Sequence, residues 1–244
     1  MQEYVVKPND TLYLIAKEFD IPLTQLIRAN PQITNPDLIY EGQTVIIPDL
    51  LPVPEQIDTL ESNAIGIIED MYLSDWPAAN SRINVIRTAM NNLVPALQEA
   101  LIPDRVIFGL NATIRTLEQN MLQRRTFPAI SQANRITQML ADVLDYYNVI
   151  IPTDVMRLAY FARQMIINVE QNDWPEALQN YRRILSVWER IRPELTKNYA
   201  RDVSDFDQIL NDLLGSIDRR NYGNVIANAE RILELNERIS DDFE

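Results

Sequence analysis

From about residue 54 to the last helix-forming stretch, apolar residues advance in alternating steps of three and four, and this stepping constrains the chain more than any other feature. Ala177, Tyr181, Ile184, Trp188, Ile191 and Leu195 form one stripe, and Val203, Phe206, Leu210, Leu213 and Ile217 another. Two more run through Ala133, Ile136, Leu140, Val143 and Tyr147, and through Val155, Leu158, Ala162, Met165 and Val169. Such a period gives an α-helix one apolar face and gives a strand none. Glycine agrees with it: five glycines in 244 residues leave no phosphate-cradling loop and exclude most glycine-punctuated β architectures.

The helical stretch also repeats. Asp75-Trp76-Pro77-Ala78-Ala79 returns 98 residues later as Asp173-Trp174-Pro175-Glu176-Ala177, and 18 residues after each of those prolines stands another, Pro95 and Pro193. Arg124-Arg125-Thr126-Phe127 returns 95 residues later as Arg219-Arg220-Asn221-Tyr222. A tandem duplication of roughly 97 residues explains both. Aromatic-centred turns at Trp76, Phe127, Trp174 and Tyr222 divide it into four helical hairpins. Helices of ~20 residues joined by short turns predict two up-down four-helix bundles, over 55–148 and 154–244, with the junction at 148–153. An α-solenoid of hairpins is the alternative architecture. Pro95 and Pro193 are expected to kink or end their helices at the preceding turn, equally in both copies.

Composition changes near position 50. Before it, Tyr4-Val5-Val6 and Thr44-Val45-Ile46-Ile47 alternate like short strands. Between them, Asp10 or Thr11 caps a helix that buries Leu12, Ile15, Ala16 and Phe19, and a second helix runs from Leu23 to Asn30, where Pro31 stops it. The result is a β-α-α-β module over 1–49, followed by a proline-rich linker at 50–54 in the run Pro48, Pro52, Pro54.

The run YVVKPNDTLYLIAKEFDIPLTQLIRANPQITNPDLIYEGQTVIIP resembles a LysM domain over its whole length. The match rests on Tyr4, Asp10-Thr11-Leu12, Leu26-Ile27-Arg28-Ala29-Asn30-Pro31, Asp37-Leu38-Ile39, Gly42-Gln43 and Ile47-Pro48. It departs from the pattern at Asn9, where glycine is usual and asparagine is the next best residue for a positive φ, and at Glu41, where proline is common. The resemblance implies binding of glycans that contain N-acetylglucosamine, meaning peptidoglycan or chitin. The implied groove has Asn9, Asp10, Thr11 and Leu12 on one wall and Asn35, Pro36, Asp37, Leu38 and Ile39 on the other. An N-acetyl group offers an amide donor, an amide acceptor and a methyl, so loop backbone groups can pair with the amide while Leu12, Leu38 or Ile39 meets the methyl. The structural alternative is that Asp10 and Thr11 only cap the first helix and Leu38 only plugs the core.

Chemistry beyond binding is poorly supplied. With no cysteine and no histidine, the chain has no disulfides, thiolate or imidazole metal ligands, catalytic triads or imidazole acids. Carboxylate pairs such as Glu69 with Asp70, or Asp142 with Asp145, read as solvated helix faces rather than a hydrolase dyad. Ferritin-like metal sites pair glutamate with histidine, so no metal or cofactor is expected. Trp76, Trp174 and Trp188 read as core, and the paired arginines at 124–125 and 219–220 as cations answering helix C-termini. Twenty-two basic against 35 acidic residues leave a net charge of −13, which repels nucleic acid. The opening residues MQEYVVKPND lack the charged and apolar regions of a secretory signal, and no stretch approaches the ~20 apolar residues of a membrane span. The expected function is a non-catalytic glycan anchor carrying a helical scaffold for a protein partner. A cell wall or spore envelope location follows from a resemblance to LysM-bearing envelope proteins of Gram-positive bacteria. The alternatives are a cell-wall hydrolase with a helical catalytic region and an intracellular LysM interaction module without glycan binding.

Overall fold

In the computed structural model, the described residues are 2–19, 21, 23–49, 52–147, 149, 153–195 and 199–241. Strand β1 (Gln2–Val5) pairs antiparallel with β2 (Thr44–Ile47), with Tyr4 opposite Val45, and helices α1 (Leu12–Glu18) and α2 (Leu23–Ala29) lie between them in sequence. The first strand therefore begins two residues earlier than the alternation suggests. Val6 continues the pairing outside it, donating its N–H to the Gln43 carbonyl and accepting from Gly42. Tyr4, Val6, Leu12, Ile15, Leu26, Val45 and Ile47 form a core separate from the rest of the chain, with Phe19 and Ile39 packed on its margin. Fully burying an aliphatic side chain contributes about 1.5–3 kcal/mol, so a core this small leaves a narrow margin and depends on its polar ties.

Asn30 supplies the main tie. Its side chain is fully buried, its amide donates to the carbonyls of Leu26 and Ile46, and its carbonyl accepts from the Ile46 N–H, each at 2.7 Å. One side chain thus satisfies the end of α2 and the unpaired edge of β2.

Among the described residues eight helices follow: α3 (Gln56–Tyr72), α4 (Trp76–Glu99), α5 (Asp104–Leu122), α6 (Thr126–Leu144), α7 (Thr153–Glu170), α8 (Trp174–Leu195), α9 (Ala200–Asp218) and α10 (Tyr222–Asp241). Each packs on the next, and two further contacts decide the architecture: α3 packs on α6, and α10 on α7. Both four-helix rings are therefore closed. A solenoid of hairpins would leave them open, so the bundle reading holds and the solenoid alternative falls. Every residue of the four apolar stripes named above is buried. The stacked rings of Trp188 and Phe206, 3.9 Å apart, fill the centre of the second bundle, and the Trp188 Nε1–H donates to Asp207. Among the described elements, none of the N-terminal module packs on these helices.

Five of the helices end alike. Ser74, Leu101, Arg124, Asn172 and Arg220 each have φ between 50° and 60°, in the left-handed region. In each case the two N–H groups that close the helix reach back to carbonyls of the last turn, as in Ser74 N to Met71 O and Asp75 N to Asp70 O. This is the Schellman arrangement, built without the glycine that usually occupies it. The next helix then starts at once: Asp75 caps α4 by accepting from the Ala78 N–H, and Asp173 does the same for Glu176 in α8.

The duplication is visible in these turns, and its register needs correction. Ser74 and Asn172, like Trp76 and Trp174, stand 98 residues apart, but the caps at Arg124 and Arg220 and the helix starts at Thr126 and Tyr222 stand 96 apart. Tyr222 is therefore the counterpart of Thr126 rather than of Phe127. The two-residue difference falls after the internal prolines, which stand 98 apart, and before the helix starts at Asp104 and Ala200, which stand 96 apart. Neither proline ends its helix at the preceding turn: α4 continues from Pro95 to Glu99, and α8 from Pro193 to Leu195.

The bundles meet through α6 and α7. Ile167, on α7, is buried among first-bundle residues while its neighbours Met165 and Val169 belong to the second core. Asn134 on α6, fully buried, donates to the Tyr160 carbonyl at 3.1 Å and to Gln164 at 3.2 Å. At the end of this contact Arg157 binds Asp142 of α6, Asp145 just past its end and Asp154 of α7, and Arg190 of α8 also holds Asp154. The expected junction lies largely outside the described residues, at 148 and 150–152, as do residues 50 and 51 of the linker.

Candidate functional site

The first wall of the implied groove is the turn into α1. Asn9 has φ 69°, the conformation glycine would take, and so fills the glycine position. The Asp10 carboxylate accepts from the Lys7 N–H at 2.7 Å and from the Tyr4 hydroxyl at 2.8 Å. The Lys7 N–H, and then the Tyr4 hydroxyl, hold its carboxyl below the usual carboxylate range, and Asp10 in turn pushes the Tyr4 hydroxyl up. The Lys7 ammonium lies 5.1 Å from the centre of the Tyr4 ring. Asp10 therefore fixes the loop to β1, while Thr11 is the residue that caps α1, its hydroxyl accepting from the Leu14 N–H at 3.1 Å.

The second wall is a tight loop. The Asn35 side chain accepts from the Asp37 N–H, and its carbonyl accepts from the Leu38 N–H, both at 3.1 Å. Pro36 and Asp37 are exposed on it. Beyond Ile39 the Gln43 side chain accepts from the Tyr40 N–H, and Gly42 turns the chain into β2 with φ 81°.

The three apolar candidates separate by burial. Leu12 is 2% exposed and Ile39 packs on the same core, whereas Leu38 is 51% exposed. Leu12 and Ile39 thus root the two loops in one cluster, and Leu38 has its side chain in solvent rather than plugging the core. Two aromatics and a leucine that the motif reading passed over stand beside these residues: Tyr13, Leu14 and Tyr40 are 59%, 48% and 64% exposed. Their signal was present. Tyr13 and Leu14 lie off the stripe made by Leu12, Ile15, Ala16 and Phe19, and a large apolar side chain off its helix's buried stripe faces water.

Elsewhere the candidates for chemistry have structural partners. Asp70 is buried rather than solvated, with the Arg82 Nε at 2.8 Å; its counterpart Asn168 instead accepts from Asn180 at 2.9 Å. Asp142 and Asp145 are committed to Arg157. Trp174 and Trp188 are buried, and Trp76 packs on the first core with the Arg124 guanidinium 4.7 Å from its ring. Among the described residues, no group of three or more acidic side chains is placed to hold a metal ion, and no helix is long and apolar enough to cross a membrane.

Comparison with known proteins agrees with this geometry. Residues 4–48 match the family model of the LysM domain, and that segment of the chain is a LysM domain. The chain is similar to a secreted LysM effector, ECP6, of Passalora fulva, at 32% identity over 97 residues. That match takes in 38% of this chain and spans 40% of the relative's length. No solved structure matches. A LysM domain implies carbohydrate binding, of glycans containing N-acetylglucosamine; the family match ends at residue 48, before α3.

Proposed function

We propose that the protein is a non-catalytic glycan-binding scaffold. The LysM domain over 1–49 holds a peptidoglycan or chitin-type polymer, a linker at 50–54 follows, and the bundles over 55–148 and 154–244 present a surface to a protein partner. The observation that carries this reading is the LysM segment with two loops rooted in one core and Leu38 in solvent beside them. Asn9, Thr11, Asn35, Pro36 and Asp37 supply the polar edges of the groove, Leu38 meets the N-acetyl methyl, and Asp10, Leu12 and Ile39 hold the walls in place. The relative's secreted character and the LysM domain together favour action outside the cell, on a wall or spore envelope.

The test is pelleting of the full chain with insoluble chitin and with purified peptidoglycan, assaying release of soluble fragments in parallel. Pelleting without release is expected, and Leu38→Asp is expected to weaken it about tenfold or more by placing a charge against the methyl. Release of fragments would identify a hydrolase instead. Absence of pelleting on both polymers would leave an interaction module without glycan binding. The acidic surface, −4 over residues 1–52, also favours polymer stripped of teichoic acids over native wall, with added salt improving binding to native wall.

A further inference from the structure

Where the bundles meet, α3, α7 and α10 enclose a groove of about 450 Å³. Ile65 and Ile68 of α3, Ile166 of α7, and Ile226 and Leu233 of α10 line it, with Arg163 of α7 among them. Its size and lining are those of a small-molecule site, apolar with few polar groups.

Arg163 is the anomaly. It is partly buried and makes no hydrogen bond or ion pair with any described residue. Burial works against its charge and outweighs the pull of Glu61, Glu237 and Glu69, none of which comes within ion-pair distance. A guanidinium brings five donors, and leaving them unmet in an apolar cleft is costly. The bundle does not require an arginine there either, because the equivalent position of the first copy, 98 residues earlier, is Ile65. The other polar groups differ in this respect: Glu170 accepts from the Tyr72 hydroxyl at 2.5 Å, and Glu69 and Glu230 face water at the mouth.

We propose that this groove binds a small amphiphilic carboxylate, its head on the Arg163 guanidinium and its alkyl body along the isoleucines and Leu233. The planar fork of arginine matches a carboxylate bidentately. The ring of Glu69, Glu170 and Glu230 around the mouth disfavours polyanions, so the ligand carries one charge. Nothing in this site involves the LysM domain, and it does not depend on glycan binding.

The experiment is calorimetric titration of the full chain with octanoate, octanol and octylammonium. Octanoate is expected to bind more tightly than either of the others. Arg163→Met, which keeps an apolar side chain of similar reach, is expected to weaken octanoate about tenfold or more and to leave octanol unchanged, while Arg163→Lys retains part of the difference. An undiminished melting temperature of Arg163→Met shows that the groove is still built. Tighter binding of octylammonium would mean that the acidic mouth governs the site, and would overturn the proposal. So would octanoate affinity that is unaffected by Arg163→Met, or octanoate that does not bind at all.

Discussion

Asp10 shows how a residue read as part of a binding motif can earn its place in another way. Its carboxylate joins β1 to the loop, and its carboxyl lies below the usual carboxylate range, with the Lys7 N–H the largest cause. A group whose pKa is depressed on folding contributes stability above its unfolded value, ~3.9 for aspartate, and loses that contribution as pH falls through the folded value. Asp10→Ala is therefore expected to lower the melting temperature of the LysM domain at neutral pH and to match the wild type once the pH is well below the carboxylate range. Calorimetry of both proteins across pH would check this. Asn30 is more severe. Removing its side chain leaves the Ile46 N–H and two carbonyls unpaired inside a small core, and Asn30→Ala is expected to cost about 2–4 kcal/mol, enough to unfold the domain and abolish glycan pelleting. The circular dichroism of the helical bundles should survive. Residue roles were unevenly legible. Asn9 in place of glycine is readable because few side chains tolerate positive φ, whereas the tie of Asn30 to β2 runs to Ile46, 16 residues away, and leaves no local pattern. Leu12 was assigned both to a helical stripe and to the groove, and the stripe prevailed because burial of a leucine outweighs its use at a surface.

At the scale of elements, the stepping of apolar residues located the helices well, since a helix must bury one face whatever it packs against. The stepping could not reveal which helices close each ring, because α3 and α6 meet across more than 50 residues of chain, nor the 96-residue register, because the arginine pairs suggested a shift of one. Helix ends were the least legible, since glycine marks them in most chains and here does not. That substitution has a measurable consequence. Leu101 has φ 54° with its side chain 69% exposed, so Leu101→Gly relieves backbone strain and loses little packing. Set against the added freedom of the unfolded chain, the change is expected to stabilise the helical region by about 0.5–1 kcal/mol, read from urea unfolding.

In the whole molecule, α7 belongs to both bundles, and Arg157 fastens α6 to its first turns. The bundles should accordingly melt as one cooperative unit, with the LysM domain separate. Arg157→Leu leaves Asp142 and Asp145 without their cation, but both are more than one-third exposed and regain water. The expected loss is about 1–2 kcal/mol, with the single calorimetric transition of the bundles broadening or splitting as they uncouple. Acid should act similarly in the wild type. Burial raises the Asp154 pKa, but Arg190 and Arg157 outweigh it and depress it, so its contribution is lost only as pH falls below the ordinary carboxylate range.

The junction also shows how one duplicated position can serve two opposite ends. By the offsets of 98 and 96 residues, the sealed positions Ile167 and Asn134 correspond to Glu69 and Glu230, both exposed on the outer helices α3 and α10. A contact like that of α6 with α7, laid over either glutamate, would have to bury its carboxylate without a partner, at a cost of several kcal/mol. Each glutamate therefore keeps its helix face open to water, so that the contact sealed by Ile167 and Asn134 inside the chain is not repeated at the matching positions.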